Sequence, residues 1–303
     1  MHHVAYVVPT KDRPDDLRKM LASLAQQTRM PDQVIIVDGS SLAVENVLAE
    51  FPGMKLDYVR VYPPGLAKQR NAGMAVLRTE ISIAGYLDDD LVLEPTATER
   101  VLNFFERSGP DVGGVAFSII NQPNANSKSF SRFFLIDAKA PGKLTKSGFH
   151  SQIPFVQQTI ETDWLYGGAT LWRREVIREF SYDEWYIGTG YMEDVDFSYR
   201  VKRRYRLFVV GDARVYHYSR PISLERNYLL GRHQVVNRAY FVDKMKTFSK
   251  PAFGWSLTGQ FIHNLLSSVS RRNSAGLRRA AGNLVGFFDL VTGQTKQISG
   301  HYK

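Results

Sequence analysis

The 303-residue sequence contains no cysteine, so disulfide bonds and thiolate metal sites are excluded. No stretch approaches the roughly eighteen consecutive apolar residues that a membrane-spanning helix requires. Residues 1–8 lack the apolar region and the small-residue cleavage pattern of a signal peptide. These absences predict a protein that is cytoplasmic or peripheral on the inner face of the membrane.

Acidic residues are scarce in the last third of the chain. Residues 201–303 hold 18 Lys and Arg against 4 Asp and Glu, a net charge of +14, whereas residues 1–200 hold 21 against 26, a net charge of −5. Such an asymmetry favours an anionic partner, either nucleic acid or an anionic membrane surface. No helix-turn-helix, RNA-recognition or zinc signature is present, so we expect no nucleic-acid partner.

Short apolar runs alternate with helical patterns over the first 120 residues. This alternation predicts an α/β fold with a Rossmann-like, doubly wound and mostly parallel sheet. A capping box formed by Thr96 and Glu99 is expected to open one helix. Strands are predicted over 4–8, 34–37, 56–62, 81–87, 114–120 and 207–210, and helices over 14–24, 66–77, 96–105 and 193–204.

Three carboxylates in a row, Asp88-Asp89-Asp90, follow the predicted strand over 81–87. The carboxyl ends of strands in open α/β sheets line ligand crevices. Adjacent carboxylates repel one another unless a cation or open solvent offsets the repulsion. The triplet is therefore either a divalent metal site that holds phosphates or a solvated acidic turn.

Four further polar motifs accompany the triplet: Pro9-Thr10-Lys11-Asp12-Arg13, Asp38-Gly39-Ser40-Ser41, Arg70-Asn71-Ala72-Gly73 and Glu193-Asp194. With these motifs and the triplet, the chain resembles the family 2 glycosyltransferases over about residues 4–220.

The resemblance implies a GT-A fold and an inverting transfer of sugar from a UDP-, GDP- or dTDP-sugar to a hydroxyl of a glycan or lipid-linked acceptor, in polysaccharide or glycoconjugate biosynthesis. It also implies a Mg²⁺ or Mn²⁺ cofactor held by Asp88, Asp90 and His217. Which acids of the triplet bind the ion stays open, and a lone histidine such as His217 is also common as a structural residue. Contacts to the donor nucleotide are implied for Pro9, Thr10, Arg13, Asp38, Arg70, Asp88 and Asp89.

Asp194 is implied as the general base that deprotonates the acceptor hydroxyl, and Arg70 as a cation that stabilises charge on the departing diphosphate. The alternative for Glu193 and Asp194 is ordinary stabilisation of a helix N-terminus by acidic residues. Sugar and acceptor contacts are implied for Trp164, Gly168 and Glu193, although tryptophan is also common in cores and glycine in tight packing.

The predicted domains are a catalytic domain over 1–222, with a flexible acceptor-side loop over 121–154, and a helical, basic, amphipathic region over 223–303. The helical region either lies on an anionic membrane or packs with solvated arginines. Its apolar stripes are Phe261, Ile262, Leu265, Leu266 and Val269, then Leu277, Ala280, Ala281, Leu284, Val285, Phe288 and Val291, with Arg271, Arg272, Arg278 and Arg279 beside them.

Three other classes of protein compete with the glycosyltransferase. A nucleotidyltransferase acting on sugar nucleotides also uses an α/β sheet with acidic metal ligands, but it opens with a Gly-rich loop that this chain lacks. The other classes are a non-catalytic sugar-binding relative and a non-catalytic basic protein that binds membrane or nucleic acid. The presence of both acidic motifs, the triplet and Glu193-Asp194, favours the enzyme.

Overall fold

The computed structural model describes residues 2–123, 129–188, 190–271 and 274–295, so Arg272 lies outside the described residues. They form two compact units, one in residues 2–123 and 154–219 and the other in residues 129–153 and 220–295. The strands are Val4–Thr10 (β1), Gln33–Asp38 (β2), Leu56–Arg60 (β3), Ile83–Leu87 (β4), Leu91–Leu93 (β5), Val112–Ile119 (β6), Ile160–Thr162 (β7), Ala169–Arg173 (β8) and Arg206–His217 (β9). The helices are Pro14–Leu24 (α1), Leu66–Ala75 (α2), Ala97–Arg107 (α3), Ser129–Phe133 (α4), Arg174–Glu179 (α5), Glu193–Lys202 (α6), Leu224–Met245 (α7), Lys250–Arg271 (α8) and Ala275–Thr292 (α9).

The first unit is built on a single mixed sheet with the strand order β3-β2-β1-β4-β8-β6-β9-β5, and β7 pairs with β9. Strand β1 pairs in parallel with β2 and with β4, β2 pairs in parallel with β3, and β6 pairs in parallel with β9. Strand β8 runs antiparallel between β4 and β6. The α/β prediction is confirmed, with a mostly parallel sheet.

Both faces of strand β1 are covered, which explains why its sequence is continuously apolar. Tyr6 and Val8 pack into the main core with Leu17 and Leu21 of helix α1. Ala5 points to the other face, where Met74 of α2 packs against the same small cluster. Since a parallel strand between two helical layers has no solvent face, it needs no polar alternation.

The predicted capping box is wrong. Thr96 has φ −100° and ψ 3°, and its side chain caps no N–H of α3. A capping residue normally adopts an extended conformation that aims its oxygen at the first turn, and Thr96 does not. Glu99 instead accepts a hydrogen bond from the Thr28 hydroxyl at 2.6 Å.

Strands β5, β7 and β8 were not predicted from the sequence. They are three to five residues long, too short for a periodic pattern. Strand β8 is buried over its first four residues, because it lies between two other strands. Its position in the sheet, rather than its sequence, makes it a strand.

The second unit contains helices α4, α7, α8 and α9. The part of the predicted loop over 121–154 that lies in residues 129–153 belongs to this unit, and residues 124–128 lie outside the described part of the chain. Phe134 stacks on Trp255 of α8 at 4.6 Å between ring centroids, and its carbonyl accepts a bond from Ser256 at 2.7 Å. Aromatic packing of this kind leaves no periodic pattern in the sequence. The domain bounds inferred from the sequence stay a prediction.

Among the described residues, no helix has the length and apolar character needed to cross a membrane.

Candidate active site

The acidic triplet forms the turn between β4 and β5, at the carboxyl end of β4. The Asp88 N–H donates to the carbonyl of Gly168 at 2.8 Å, and the Tyr218 N–H donates to the carbonyl of Asp90 at 2.9 Å. Because β5 pairs with β9, Leu91 lies opposite His217. Sheet pairing thus brings His217 to the triplet across more than a hundred residues of sequence.

Asp88, Asp90 and His217 form a cluster in which one ligand atom from each lies within 4.8 Å of the others. The Nε2 atom of His217 is 3.0 Å from Oδ1 of Asp90. Burial acts to raise the pKa of Asp90, but the hydrogen bond and charge of His217 outweigh it, so that pKa is lowered. Burial acts to lower the pKa of His217, yet Asp90 raises it. Two carboxylates and an imidazole are a donor set that suits a divalent metal ion, and all three residues were predicted as ligands.

The middle carboxylate of the triplet, Asp89, faces the end of strand β1 and is not part of that cluster. It accepts a hydrogen bond from the Thr10 hydroxyl at 2.7 Å and another from Arg13 at 3.2 Å. Burial raises the pKa of Asp89 to about 7, against the lowering effect of Thr10 and Arg13. Arg13 also donates to Asp90 at 3.1 Å, so two of the predicted nucleotide contacts, Thr10 and Arg13, are connected to the triplet through side-chain hydrogen bonds.

Asp38, at the carboxyl end of β2, is fully buried and accepts four hydrogen bonds. The donors are the N–H groups of Ser40 and Val44, the Tyr58 hydroxyl and the Arg60 guanidinium, at 2.6–3.0 Å. Burial acts to raise the pKa of Asp38, but hydrogen bonds from the Ser40 side chain, the Tyr58 hydroxyl and the N–H groups of Ser40 and Val44 lower it. Sequence reasoning missed Tyr58 and Arg60. The available signal was the position of a cation at the end of the neighbouring strand, where Arg60 is in register with Asp38.

Arg70 is 1% exposed, although it carries a charge. Its Nη1 atom donates to Glu193 at 2.8 Å and its Nη2 atom to Asp88 at 3.3 Å. The guanidinium carbon lies 5.0 Å from the ring of Tyr182 and 5.7 Å from the ring of Tyr86. Burial acts to lower the pKa of Arg70, but Tyr182 and the nearby acids raise it. The guanidinium therefore joins protein acids, while its predicted contact with a diphosphate stays a prediction.

Two neighbours of Arg70 on helix α2 fix the surrounding loops. The Asn71 amide donates to the carbonyl of Tyr182 at 2.9 Å and accepts from its N–H at 2.9 Å, which holds Tyr182 beside Arg70. Gln69 donates to the carbonyls of Thr10 and Val37 at 3.0 and 2.8 Å, so it ties β1 to β2 at their carboxyl ends. Tyr86 and Tyr182 were not predicted, because no motif includes them.

Glu193 and Asp194 open helix α6 after Met192, which has a left-handed φ of 80°. Glu193 is buried, and burial together with Asp194 raises its pKa well above the ordinary value. Asp194 is partly exposed and accepts a hydrogen bond from the Val195 N–H at 2.8 Å. Burial raises the pKa of Asp194 to about 6, against the lowering effect of Arg70. A carboxyl group with this pKa changes its protonation state near neutral pH.

Asp196, two residues further along, has a structural role. Its side chain is fully buried and accepts bonds from Arg200 at 2.7 Å and from the Tyr186 hydroxyl at 3.2 Å. The difference from Asp194 follows from helix geometry, since residues two apart lie on different faces.

Gly167 and Gly168 precede strand β8 and pack against two charged side chains. A Cβ at Gly168 would overlap the carboxylate of Asp88, and one at Gly167 would lie 2.5 Å from Nη1 of Arg70. The structure therefore places Gly168 against a metal-ligand candidate. Trp164 is buried, with its ring 5.8 Å from that of Tyr166 in an edge-to-face contact.

A family model described as glycosyl transferase family 2 matches residues 6–180. The chain belongs to glycosyl transferase family 2. The match includes the triplet, Arg70 and Asp38, and it ends before Asp194 and His217. No curated protein sequence matches this family 2 chain significantly.

Solved structures of glycosyltransferases share the fold of this family 2 chain, the GT-A fold. The structure of S. aureus TarS 1–349 in complex with UDP has a TM-score of 0.53 and 15% identity, with 97% of this chain and 92% of that chain covered. The mannosyltransferase PcManGT from Pyrobaculum calidifontis, in complex with GDP-Man and Mn²⁺, has a TM-score of 0.53 and 16% identity, with 96% and 79% covered. A longer TarS structure, with a TM-score of 0.51 and 15% identity, is matched by 93% of this chain, which spans 55% of its length.

Proposed function

We propose that this chain is an inverting glycosyltransferase that moves a sugar from a nucleoside-diphosphate donor to a hydroxyl of a glycan or lipid-linked acceptor. The observation that carries the proposal is the cluster of Asp88, Asp90 and His217, in which Asp90 accepts a hydrogen bond from Arg13, while the adjacent Asp89 accepts one from Thr10. The family membership supports it. Similar structures solved in complex with UDP, UDP-GlcNAc and GDP-Man support it as well, and the donor of this chain is proposed among UDP-, GDP- and dTDP-sugars.

The proposed cofactor is Mg²⁺ or Mn²⁺, held by Asp88, Asp90 and His217. The buried Oδ1 atom of Asp90 lies 3.0 Å from the His217 ring nitrogen, and a neutral imidazole and a carboxylate present lone pairs that one cation can accept. When bound, such an ion offsets the negative charge of a diphosphate. The Mn²⁺ in the PcManGT complex supports this choice.

On the nucleotide side, Asp38, Thr10 and Arg13 are proposed to bind the base and ribose, with Pro9 shaping the end of β1. Four donors fix the Asp38 carboxylate. These four donors occupy the roughly four lone-pair sites of the carboxylate, so a base N–H or a ribose hydroxyl would replace one of them, at little cost in side-chain entropy.

In the transfer step, the Asp194 carboxylate is proposed to accept the proton of the acceptor hydroxyl. The hydroxyl oxygen forms a bond to the anomeric carbon from the face opposite the diphosphate. The bond from that carbon to the diphosphate oxygen breaks, and its electron pair leaves with the diphosphate, so the configuration inverts. The Glu193–Arg70 pair fixes the start of α6 and thereby positions Asp194. Trp164, Gly168 and Glu193 are proposed on the sugar and acceptor side.

The proposed setting is polysaccharide or glycoconjugate biosynthesis, in the cytoplasm or on the inner face of the membrane. The net charge of +14 over residues 201–303 supports contact of the C-terminal helices with anionic lipid.

The test is a panel of nucleotide sugars screened by thermal shift in the presence of Mn²⁺. A donor present at about one hundred times its Kd should contribute about 2.7 kcal/mol of stability. The anomeric configuration of the product, followed by NMR with the donor found in this way, then tests inversion. If no nucleotide sugar shifts the melting temperature, the proposed function is overturned.

A further inference from the structure

Helix α9 is packed with its apolar residues outward. Its buried positions are small or polar: Gly276, Ala280, Gly282, Asn283, Gly286 and Asp289. Its exposed positions include Leu277 at 54%, Leu284 at 59%, Phe287 at 58%, Phe288 at 61% and Val291 at 72%. A helix on the surface of a water-soluble protein normally shows the reverse, because its apolar stripe faces the core.

Helix α8 has the same inverted pattern. Ser256, Asn264 and Ser268 are buried, while Leu266 and Val269 are 56% and 77% exposed. We call the large apolar residues of the two helices that are between 54% and 77% exposed the α8–α9 outer face: Leu266, Val269, Leu277, Leu284, Phe287, Phe288 and Val291.

Inward polar groups of α7, α8 and α9 hydrogen-bond to one another, so the inversion is a built feature of the second unit. Asn264 donates to Asn283 at 2.7 Å, and Asn283 donates to the carbonyl of Gly231 on α7 at 2.7 Å. Arg232 pairs with Asp289 at 2.6 Å. Each of these bonds joins two different helices.

Glycines bring the backbones of α7 and α9 into close contact. A Cβ at Gly231 would overlap the carbonyl of Arg279, and one at Gly282 would overlap the carbonyl of Tyr228. Helices within lipid associate through small residues at their crossings and through hydrogen bonds between polar side chains, and their apolar side chains face outward.

We propose that the α8–α9 outer face inserts among the acyl chains of one membrane leaflet. The occupant is lipid hydrocarbon, bordered by anionic headgroups. This inference deepens the membrane association given under the proposed function, and it rests on that function only for its biological purpose. There the C-terminal helices contact anionic lipid through their charge, whereas here the insertion of apolar side chains dominates the binding.

Charge favours lipid over a second copy of this chain. From residue 244 to the end, the sequence contains one acid, Asp289, and that acid is buried against Arg232. Arg278 is exposed next to Leu277 on the outer face. A second copy would bring like charges together at this face, whereas anionic headgroups would neutralise them.

The test is flotation of the full chain with vesicles of phosphatidylcholine and phosphatidylglycerol. We expect binding to persist at about 1 M salt, where the Debye length is about 3 Å and charge attraction is screened. The double variant Phe287→Ser/Phe288→Ser should partition about one hundredfold more weakly, roughly tenfold for each phenylalanine. Leu42→Ser, a change at a side chain that is 85% exposed in the first unit, is the matched control and should float like the wild type.

The absence of cysteine allows a direct probe of the face. A polarity-sensitive dye attached to Phe288→Cys should shift to shorter wavelength with vesicles, and the same dye on Leu42→Cys should not. Circular dichroism of each variant establishes that it is folded. The proposal is overturned if the dye at residue 288 stays in water, if salt removes all binding, or if light scattering shows a dimer that the Phe→Ser changes dissociate.

The thermal shift with nucleotide sugars is measured on the same preparations. If donor binding is intact and flotation fails, the membrane inference alone is lost. If flotation succeeds and no donor binds, the proposed function alone is lost.

Discussion

The Nη1 atom of Arg70 lies 2.8 Å from Oε1 of Glu193, and its Nη2 atom lies 3.3 Å from Oδ1 of Asp88. One buried guanidinium therefore joins the N-terminus of α6 to the carboxyl end of β4. The proposed base, Asp194, is adjacent to one of these acids, and the proposed metal ligand is the other. The distance between base and metal site is thus fixed through Arg70.

Replacement of Arg70 by methionine should lower the free energy of unfolding by about 3–5 kcal/mol, because Glu193 is left buried without its cation. Urea denaturation measures this loss. Adding Glu193→Gln to Arg70→Met should recover part of it, since the uncompensated charge is removed.

The matched control is Arg18→Met, which breaks an exposed pair with Glu50 at 2.7 Å. That change should leave the unfolding midpoint nearly unchanged, because solvent-exposed ion pairs contribute little. If Arg70→Met unfolds at the same urea concentration as the wild type, Arg70 does not have the structural role described above.

The pH dependence of transfer should follow Asp194. Its pKa of about 6 means that the carboxyl group is protonated below that pH and cannot accept the acceptor's proton. We therefore expect kcat/KM to fall by about tenfold for each pH unit below about 6 and to be constant above that pH. A pH–rate profile at saturating metal measures this limb. A profile that is flat down to pH 5 would remove Asp194 from the role of base.

Asp194→Asn should abolish transfer and leave the affinity for the donor nearly intact, because an amide cannot accept the proton but has nearly the same shape. Single-turnover kinetics and donor binding by calorimetry measure the two effects. Asp196→Asn is the control at the neighbouring acid. We expect it to lower stability through its bonds to Arg200 and Tyr186 while the folded fraction keeps its activity. Equal loss of transfer in both variants would contradict the assignment.

Removal of the metal should weaken donor binding. Asp88→Ala, Asp90→Ala and His217→Ala should each weaken Mn²⁺ binding about tenfold or more, as expected when a ligand or its support is lost. Electron paramagnetic resonance of free Mn²⁺ measures the affinity without any turnover. Donor affinity that is identical with and without EDTA would speak against the site.

Gly168→Ala should disturb the metal site while leaving all proposed ligands in the sequence. The added Cβ would occupy the place of the Asp88 carboxylate, and a short aspartate side chain cannot move aside without leaving the cluster. We expect weaker Mn²⁺ binding in the same resonance assay. Gly53→Ala is the control, because nothing lies within 4 Å of a Cβ at that position. Mn²⁺ binding that is unchanged in both variants would show that Asp88 can relax.

Local sequence patterns predicted the first four strands of the α/β alternation, because apolar runs and turn residues act over a few positions. The same patterns identified the triplet, since three adjacent carboxylates need an explanation wherever they occur. They indicated the wrong partner for Glu99, because a capping box depends on the backbone angles of Thr96 as well as on residue type. These patterns did not predict β8, which is buried because it lies between two other strands of the sheet.

The sequence by itself determined the family, the carboxyl-end position of the acids and the basic character of the last third, because each depends on residue type and short spacing. Only the tertiary structure decided that Asp89 faces Thr10 while Asp88 and Asp90 face His217, since alternate residues of the turn point in different directions. It also decided that Arg70 is buried between two tyrosines, and that α9 turns its phenylalanines outward. An apolar stripe in a sequence shows that a helix has two faces. Which face meets the protein depends on the neighbouring helices, whose glycines and amides here select the polar one.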